Sequence, residues 1–205
     1  MSKTTERRAK LAATLVDAAR ARIAASGVHH LRARDLAQDV GCSVGAIYNV
    51  FDDLDALILQ VSLGTLRDID KTMAAVGAQA VQNEDKPVET MIALANAYFQ
   101  FVQENTNLWR ALFDHDIPED YVLPEPVRAE QNALFRHIEK PLSLCMRSAP
   151  EEQLSAVAKS LFSAVHGLIT LSVEQRIAGV SVKEVKPQMD FLLRTFVAGL
   201  GAEKE

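Results

Sequence analysis

The chain has little cysteine and glycine and few aromatic residues, and each shortage closes a class of explanation. Its 205 residues include two cysteines, Cys42 and Cys145, far apart and set among apolar neighbours. They suit neither a disulfide framework nor a paired-cysteine metal site, and they read as small core residues of a reducing compartment. The nine glycines form no phosphate-cradling loop, and no histidine pair has the spacing of a helical metal site, so neither metal nor cofactor is expected. No segment alternates β-branched residues between turn signals, which argues against strands. The most apolar run, residues 161–173, is too short for a bilayer and contains His166. The polar first six residues lead into no apolar stretch, so no membrane partner is expected and a cytoplasmic location is.

Positive charge is scarce as well, with a formal net charge of −5, but it is unevenly placed. Residues 1–34 carry eight basic side chains (Lys3, Arg7, Arg8, Lys10, Arg20, Arg22, Arg32 and Arg34) against Glu6 and Asp17. A solvated helix face would look the same in isolation. Because this cluster lies directly before the distinctive stretch at residues 36–51, it reads instead as a surface for a polyanion.

What is present is helical periodicity, over enough apolar material to bury a core: 48% of the residues are hydrophobic. An all-α fold of about nine helices is expected. The first runs over residues 4–26, with Leu11, Leu15, Ala19 and Ile23 on one face and Gly27 as its stop. Two short helices come next, at 33–40 and 44–50. A long one starts behind Asp52 and Asp53 and ends near Gly77. Pro87, Pro126, Pro150 and Pro187 mark further helix starts, a short helix is expected at 108–113, and Pro141 should kink or break its helix. Residues 116–124, rich in proline and acids, read as a loop.

The most informative stretch is residues 36–51. Ala37 is small where one short helix would cross another, and Gly41 can take the positive φ of a tight turn. Leu36, Val40, Cys42, Ile47 and Val50 fall on inward positions that would lock the angle between the two helices. Ser43 precedes the second helix, where its hydroxyl can cap the first turn. Val44, Gly45, Tyr48 and Asn49 are left on the outer face. This spacing is that of a helix-turn-helix, with those residues facing the DNA groove.

On these residues the first sixty positions resemble the DNA-binding domain of TetR-type transcriptional regulators. The matching residues are Ala18-Ala19, Gly27, Arg34-Asp35-Leu36-Ala37, Val40-Gly41-Cys42-Ser43, Gly45, Ile47-Tyr48, Phe51 and Leu57. Further on, Phe162-Ser163-Ala164-Val165-His166-Gly167-Leu168 is similar to the His-Gly segment of one C-terminal subgroup, with Phe162 in place of its usual tryptophan. The resemblance implies a three-helix DNA-binding domain at 1–52, a connecting helix at 53–77 and a larger helical ligand-binding and dimerisation domain at 78–205. Three positions depart from the family pattern: Val50 replaces a histidine or tyrosine, Leu54 a lysine, and Arg32 the Thr or Ser that caps the second helix. Grip on phosphate would therefore shift to Arg8, Arg32, Arg34 and the basic arm.

The resemblance also implies a homodimer on a palindromic operator in double-stranded DNA, because one reading head spans too few base pairs for specificity. Its interface is expected on the last two helices. Leu154, Val157, Leu161, Val165, Leu168 and Ser172 trace one stripe, and Ala156, Ser160, Ser163, Ala164 and Gly167 a second, small-residue face. Met189, Leu192, Leu193, Phe196 and Val197 would complete it, with Leu161, Ala164, Leu168, Leu193 and Phe196 at its centre. The middle helices would enclose a small apolar or aromatic effector. Phe99, Trp109, Phe113, Phe162 and His166 are its expected walls, alongside Tyr98, Phe101, Phe135 and Met146. Such residues also serve as ordinary core.

Two other classes compete. An enzyme would have to start from Asp114-His115-Asp116, but neighbouring positions on a helix face apart, and an acidic helix end running into a loop explains them; no catalytic residue is expected. Alternatively, the helix-turn-helix has lost its DNA and survives in a helical ligand-binding or protein-interaction module, for which Val50 and Leu54 speak.

Overall fold

The computed structural model describes residues 2–80, 86–114, 124–174 and 181–202. Among them are nine α-helices, one 3₁₀ turn and no strand. In chain order these are α1 (Lys3–Ser26), the 3₁₀ turn (Val28–His30), α2 (Ala33–Val40), α3 (Val44–Tyr48), α4 (Leu54–Ala80), α5 (Pro87–Glu104), α6 (Thr106–Arg110), α7 (Glu125–Cys145), α8 (Glu151–Glu174) and α9 (Val185–Ala202).

The chain folds into two compact units: Met1–Asp68 with Glu104–Glu130, and Ile69–Gln103 with Gln131–Glu205. The division is interleaved, unlike the consecutive 1–52, 53–77 and 78–205 read from the sequence. The physical reason is α6. Its Leu108 and the adjoining Ala111 belong to the first unit's buried core, together with Leu15, Ile23, Leu36, Ile47 and Leu57. Asn107 Nδ2 donates to the Ala24 carbonyl at 2.9 Å, which ties α6 to α1.

Helix boundaries obey local chemistry with two exceptions. Gly27, at φ +83°, ends α1, and its N–H donates to the Ile23 carbonyl. Asp53 Oδ1 accepts from Ala56 N at 2.7 Å and caps α4. Gly77 does not end α4, which continues to Ala80; a glycine costs a helix interior only about 1 kcal/mol, and the alanines around it, Ala74, Ala75 and Ala78, are strong helix formers. Pro141 lies inside α7 without breaking it. It is buried, and next to it Leu142 is fully enclosed.

In the second unit the tie between α5 and α9 is polar. Arg194 holds Glu89 through two hydrogen bonds of 2.8 and 3.2 Å and Asp190 through a third of 3.0 Å. Arg194's hydrogen bonds hold the exposed Glu89 carboxyl below its ordinary range. Val185, Met189 and Leu193 of α9 and Ala158, Leu161, Val165 and Ile169 of α8 are buried. His137 Nε2 meets Asp70 Oδ1 at 2.7 Å, joining α7 to α4 inside the same unit.

Candidate functional site

The helix pair is built by three local devices. Gly41 takes the left-handed conformation (φ +71°, ψ +38°) at the end of α2. This turn lets Cys42 N reach the Ala37 carbonyl at 2.9 Å and Gly41 N the Gln38 carbonyl at 3.3 Å, satisfying two carbonyls at the helix end. Ser43 Oγ then accepts from Ala46 N at 3.2 Å, a cap whose removal costs about 1 kcal/mol in comparable helices. Leu36, Ala37 and Ile47 are buried, and Val40, Cys42 and Val50 pack against them.

With Ile47 inside, the opposite face of α3 is bare. Val44 is 37% exposed and Tyr48 47%, and Ser43, Gly45 and Asn49 are exposed as well. Val44 and Tyr48 form one row at helical spacing, Gly45 and Asn49 the row beside it. A Cβ added at Gly45 would meet nothing nearer than Ser43 Oγ at 3.9 Å. The four outer residues of the sequence reading thus share one open surface.

Charge around this surface is arranged in the same sense. Arg22 of α1 holds Asp39 of α2 by a close two-pronged contact and reaches Asp35 at 3.5 Å. The hydrogen bond from Arg22 lowers the Asp39 carboxyl below its ordinary value. Two acids of α2 are drawn onto α1. Arg32, at the N-cap of α2, makes no side-chain cap; its Nη1 donates to the His29 and Leu31 carbonyls at 2.8 and 2.9 Å. Arg8 and Arg34 are exposed. Val50 and Leu54, the positions where the TetR pattern carries a donor, pack against the core instead. The sequence reading missed the Arg22 bridge, because a contact between separate helices leaves no local spacing signal.

The expected effector wall divides. Phe162 and His166 come together in the second unit, their ring centroids 5.3 Å apart and their planes 29° from parallel. Tyr98 joins them at 5.7 Å from Phe162, and its hydroxyl meets His166 Nδ1 at 3.1 Å. Phe135 closes edge-on onto Phe162 at 5.5 Å, and Lys159 Nζ stands 5.9 Å from the centre of the Phe135 ring. Phe99 is buried in the same unit at 2% exposure. Trp109 and Phe113 lie in the first unit, 5.5 Å apart, with Trp109 buried and Phe113 half exposed. Sequence reasoning did not find three buried polar atoms of the second unit without a partner: Asn96 Oδ1, Thr170 Oγ1 and Ser172 Oγ. They look like ordinary small polar residues in an apolar stripe.

Burial pushes His166 below its ordinary value near 6.5. The unfolded chain therefore binds a proton that the folded one resists, and stability rises with pH through the window ending near 6.5. Melting temperature is expected to fall as pH drops below that value, and His166→Gln to flatten the fall; a thermal melt series from about pH 5 to 8 checks it.

The expected dimer residues are split between core and surface. Leu161 and Leu193 are buried within the subunit. Leu168 and Phe196 are half-buried, and Ala164 is exposed. The small-residue face of α8 is open at Ala156, Ser160 and Ser163, and ends at Leu171, 46% exposed. On α9 the large exposed residue is Phe191, at 67%. It stands outside the stripe read from the sequence. The buried residues of α8 are Ala158, Leu161, Val165, Ile169 and Ser172, a single narrow stripe.

Asp114 is exposed, and His115 and Asp116 lie outside the described residues, as does most of the 116–124 loop. Among the described residues no group of three or more His, Cys, Asp or Glu is placed to hold a metal ion.

Comparison with known proteins adds three findings. Residues 91–196 match the family of tetracyclin repressor-like C-terminal domains, a match that includes the Phe162–Gly167 segment. No curated protein sequence matches the chain. Solved structures superpose over nearly its whole length. A protein of unknown function from Rhodococcus sp. RHA1 does so with a TM-score of 0.68 and 23% identity, over 92% of this chain and 94% of that one. A candidate regulatory protein superposes at TM-score 0.67 and 19% identity, over 96% and 97%. A candidate transcriptional regulator from Pseudomonas aeruginosa PAO1 matches at TM-score 0.59 and 19% identity, over 98% and 93%. At these identities the likeness is one of fold.

Proposed function

The chain belongs to the tetracyclin repressor-like family of transcriptional regulators, and on that premise we propose that it is a ligand-responsive repressor, not an enzyme. In this reading it binds a palindromic operator as a homodimer and is released by a small apolar or aromatic effector. The observation that carries the reading is the α2–α3 pair: a left-handed Gly41, a capping Ser43, a buried Ile47 and an open row of Val44 and Tyr48.

For the dimer, the support is the apolar surface left on α8 and α9, above all Phe191 and Leu171. For the effector, it is the Tyr98–Phe162–His166 stack, whose hydrogen bond is the kind of polar group that orients a flat apolar ligand. Binding there would favour a conformer whose reading heads misfit the operator, a population shift that needs no new chemistry. A ligand that bound without altering DNA affinity would remove this part of the proposal.

Phosphate grip would fall to Arg8, Arg32, Arg34 and the arm. Arg34→Ala removes one such contact per subunit, hence two per dimer. The slope of log affinity against log salt concentration should become shallower by about 1.8, with little change in sequence preference. Titrations of one duplex across a salt series measure it, and an unchanged slope would show that Arg34 makes no phosphate contact. A second reading rests on Val50 and Leu54, whose packing against the core removes two donors from the DNA side: a helix-turn-helix-derived ligand-binding or interaction module that binds DNA weakly or not at all. Absence of any palindrome selected from random DNA at low salt would favour it.

A further inference from the structure

The reading face of α3 has an unusual chemistry for its place. No Lys, Arg or His occurs anywhere from residue 35 to residue 66, a span that covers most of α2, all of α3, their turn and the first half of α4. The nearest cations on the N-terminal side, Arg32 and Arg34, sit at the start of α2, and Arg32 has Nη1 committed to the His29 and Leu31 carbonyls. Guanine is recognised in the major groove mainly by Arg or Lys donating to O6 and N7. This face has no Arg or Lys to supply that contact.

What it does present is apolar and amide. Val44 is exposed beside Gly45, where an added Cβ would meet only Ser43 Oγ at 3.9 Å. One turn on, Tyr48 extends the Val44 row, and Asn49 extends the Gly45 row. In the major groove the one apolar group is the thymine C5-methyl, and an Asn amide pairs bidentately with adenine N6 and N7. The α2 acids that could accept from cytosine N4, Asp35 and Asp39, are held by Arg22, and Asp53 is spent on capping α4.

We infer that α3 selects A·T base pairs, with Val44 and the open flank at Gly45 receiving thymine methyls and Asn49 taking adenine. This rests on the proposal that the chain binds DNA, and it adds which bases the half-site holds at the positions under α3. Gly45 has a distinct part. Its open flank is what lets a base edge approach the helix backbone, so a methyl there obstructs DNA while meeting only Ser43 Oγ, at an ordinary contact distance of 3.9 Å.

The test is selection of double-stranded sites by the full-length protein, then base-analogue titrations. A·T pairs are expected at the central positions of each selected half-site. Replacing their thymines with uracil should weaken binding by roughly threefold to fivefold per contacted methyl, and Val44→Ala should reduce that discrimination at the thymine under Val44. Asn49→Ala should lower affinity and relax the adenine position by about tenfold or more. Gly45→Ala should keep or raise the melting temperature, since alanine suits a helix better, yet lower operator affinity by about tenfold or more. A selected palindrome with invariant G·C pairs under α3, or indifference to uracil, would overturn the inference and leave the regulator standing. Failure to select any site at low salt would overturn both.

Discussion

In the proposed homodimer, Phe191→Glu is expected to convert dimer to monomer without unfolding the subunit. The side chain is 67% exposed in the subunit, so its replacement takes almost nothing from the subunit core. In a two-fold interface the same substitution acts twice. Burying a phenylalanine contributes about 1.5–3 kcal/mol, so the pair would be missed at about 3–6 kcal/mol, roughly two to four decades in the dimer dissociation constant. A carboxylate placed in an apolar interface also carries a desolvation cost. Sedimentation should show monomer where the parent is dimer, circular dichroism should be unchanged, and operator affinity should collapse. A variant that stays dimeric would place the interface elsewhere.

The second large effect concerns the anchor beneath the reading face. Ile47 is fully buried, in a cluster with Leu15, Ile23, Leu36 and Leu57. Truncating such a residue to alanine costs about 2–5 kcal/mol, because the transfer energy is lost and a cavity remains. The helix it anchors is five residues long, far too short to persist alone. Ile47→Ala should therefore lower the melting temperature by roughly 5–15 °C and weaken DNA binding at temperatures where the second unit is still folded. Hydrogen exchange should localise the loss to α2 and α3, with α8 retaining its protection. Uniform loss across the molecule would mean that the two units melt as one.

How much of the fold and site is legible in the sequence depends on the range of the signal. Gly41, Ser43 and the inward Leu36 and Ile47 act over a few residues, and spacing alone locates the helix pair and its outer face. Gly77 and Pro141 are local signals as well, yet α4 and α7 run through them: one glycine is a small penalty among alanines, and Pro141 is buried beside the fully enclosed Leu142. The attachment of α6 to α1 depends on a contact between Asn107 and Ala24, which nothing in either segment announces. For the same reason Trp109 and Phe113 can be recognised as large apolar groups but not assigned to the first unit. Periodicity says which face of a helix is apolar, not what covers it. Phe191 shows the converse: it falls outside the apolar stripe of α9 and is 67% exposed, so periodicity alone passes over it.

On the proposed function, two copies of α3 read two halves of one operator. The most direct measurement is the mass and affinity of the full-length protein's complex with its selected palindrome, beside a duplex in which one half-site is scrambled. The account predicts two chains per duplex and a loss of about a hundredfold or more on scrambling, since the specific contacts of one reading head are gone. One chain bound per duplex, with the same affinity for both, would contradict it.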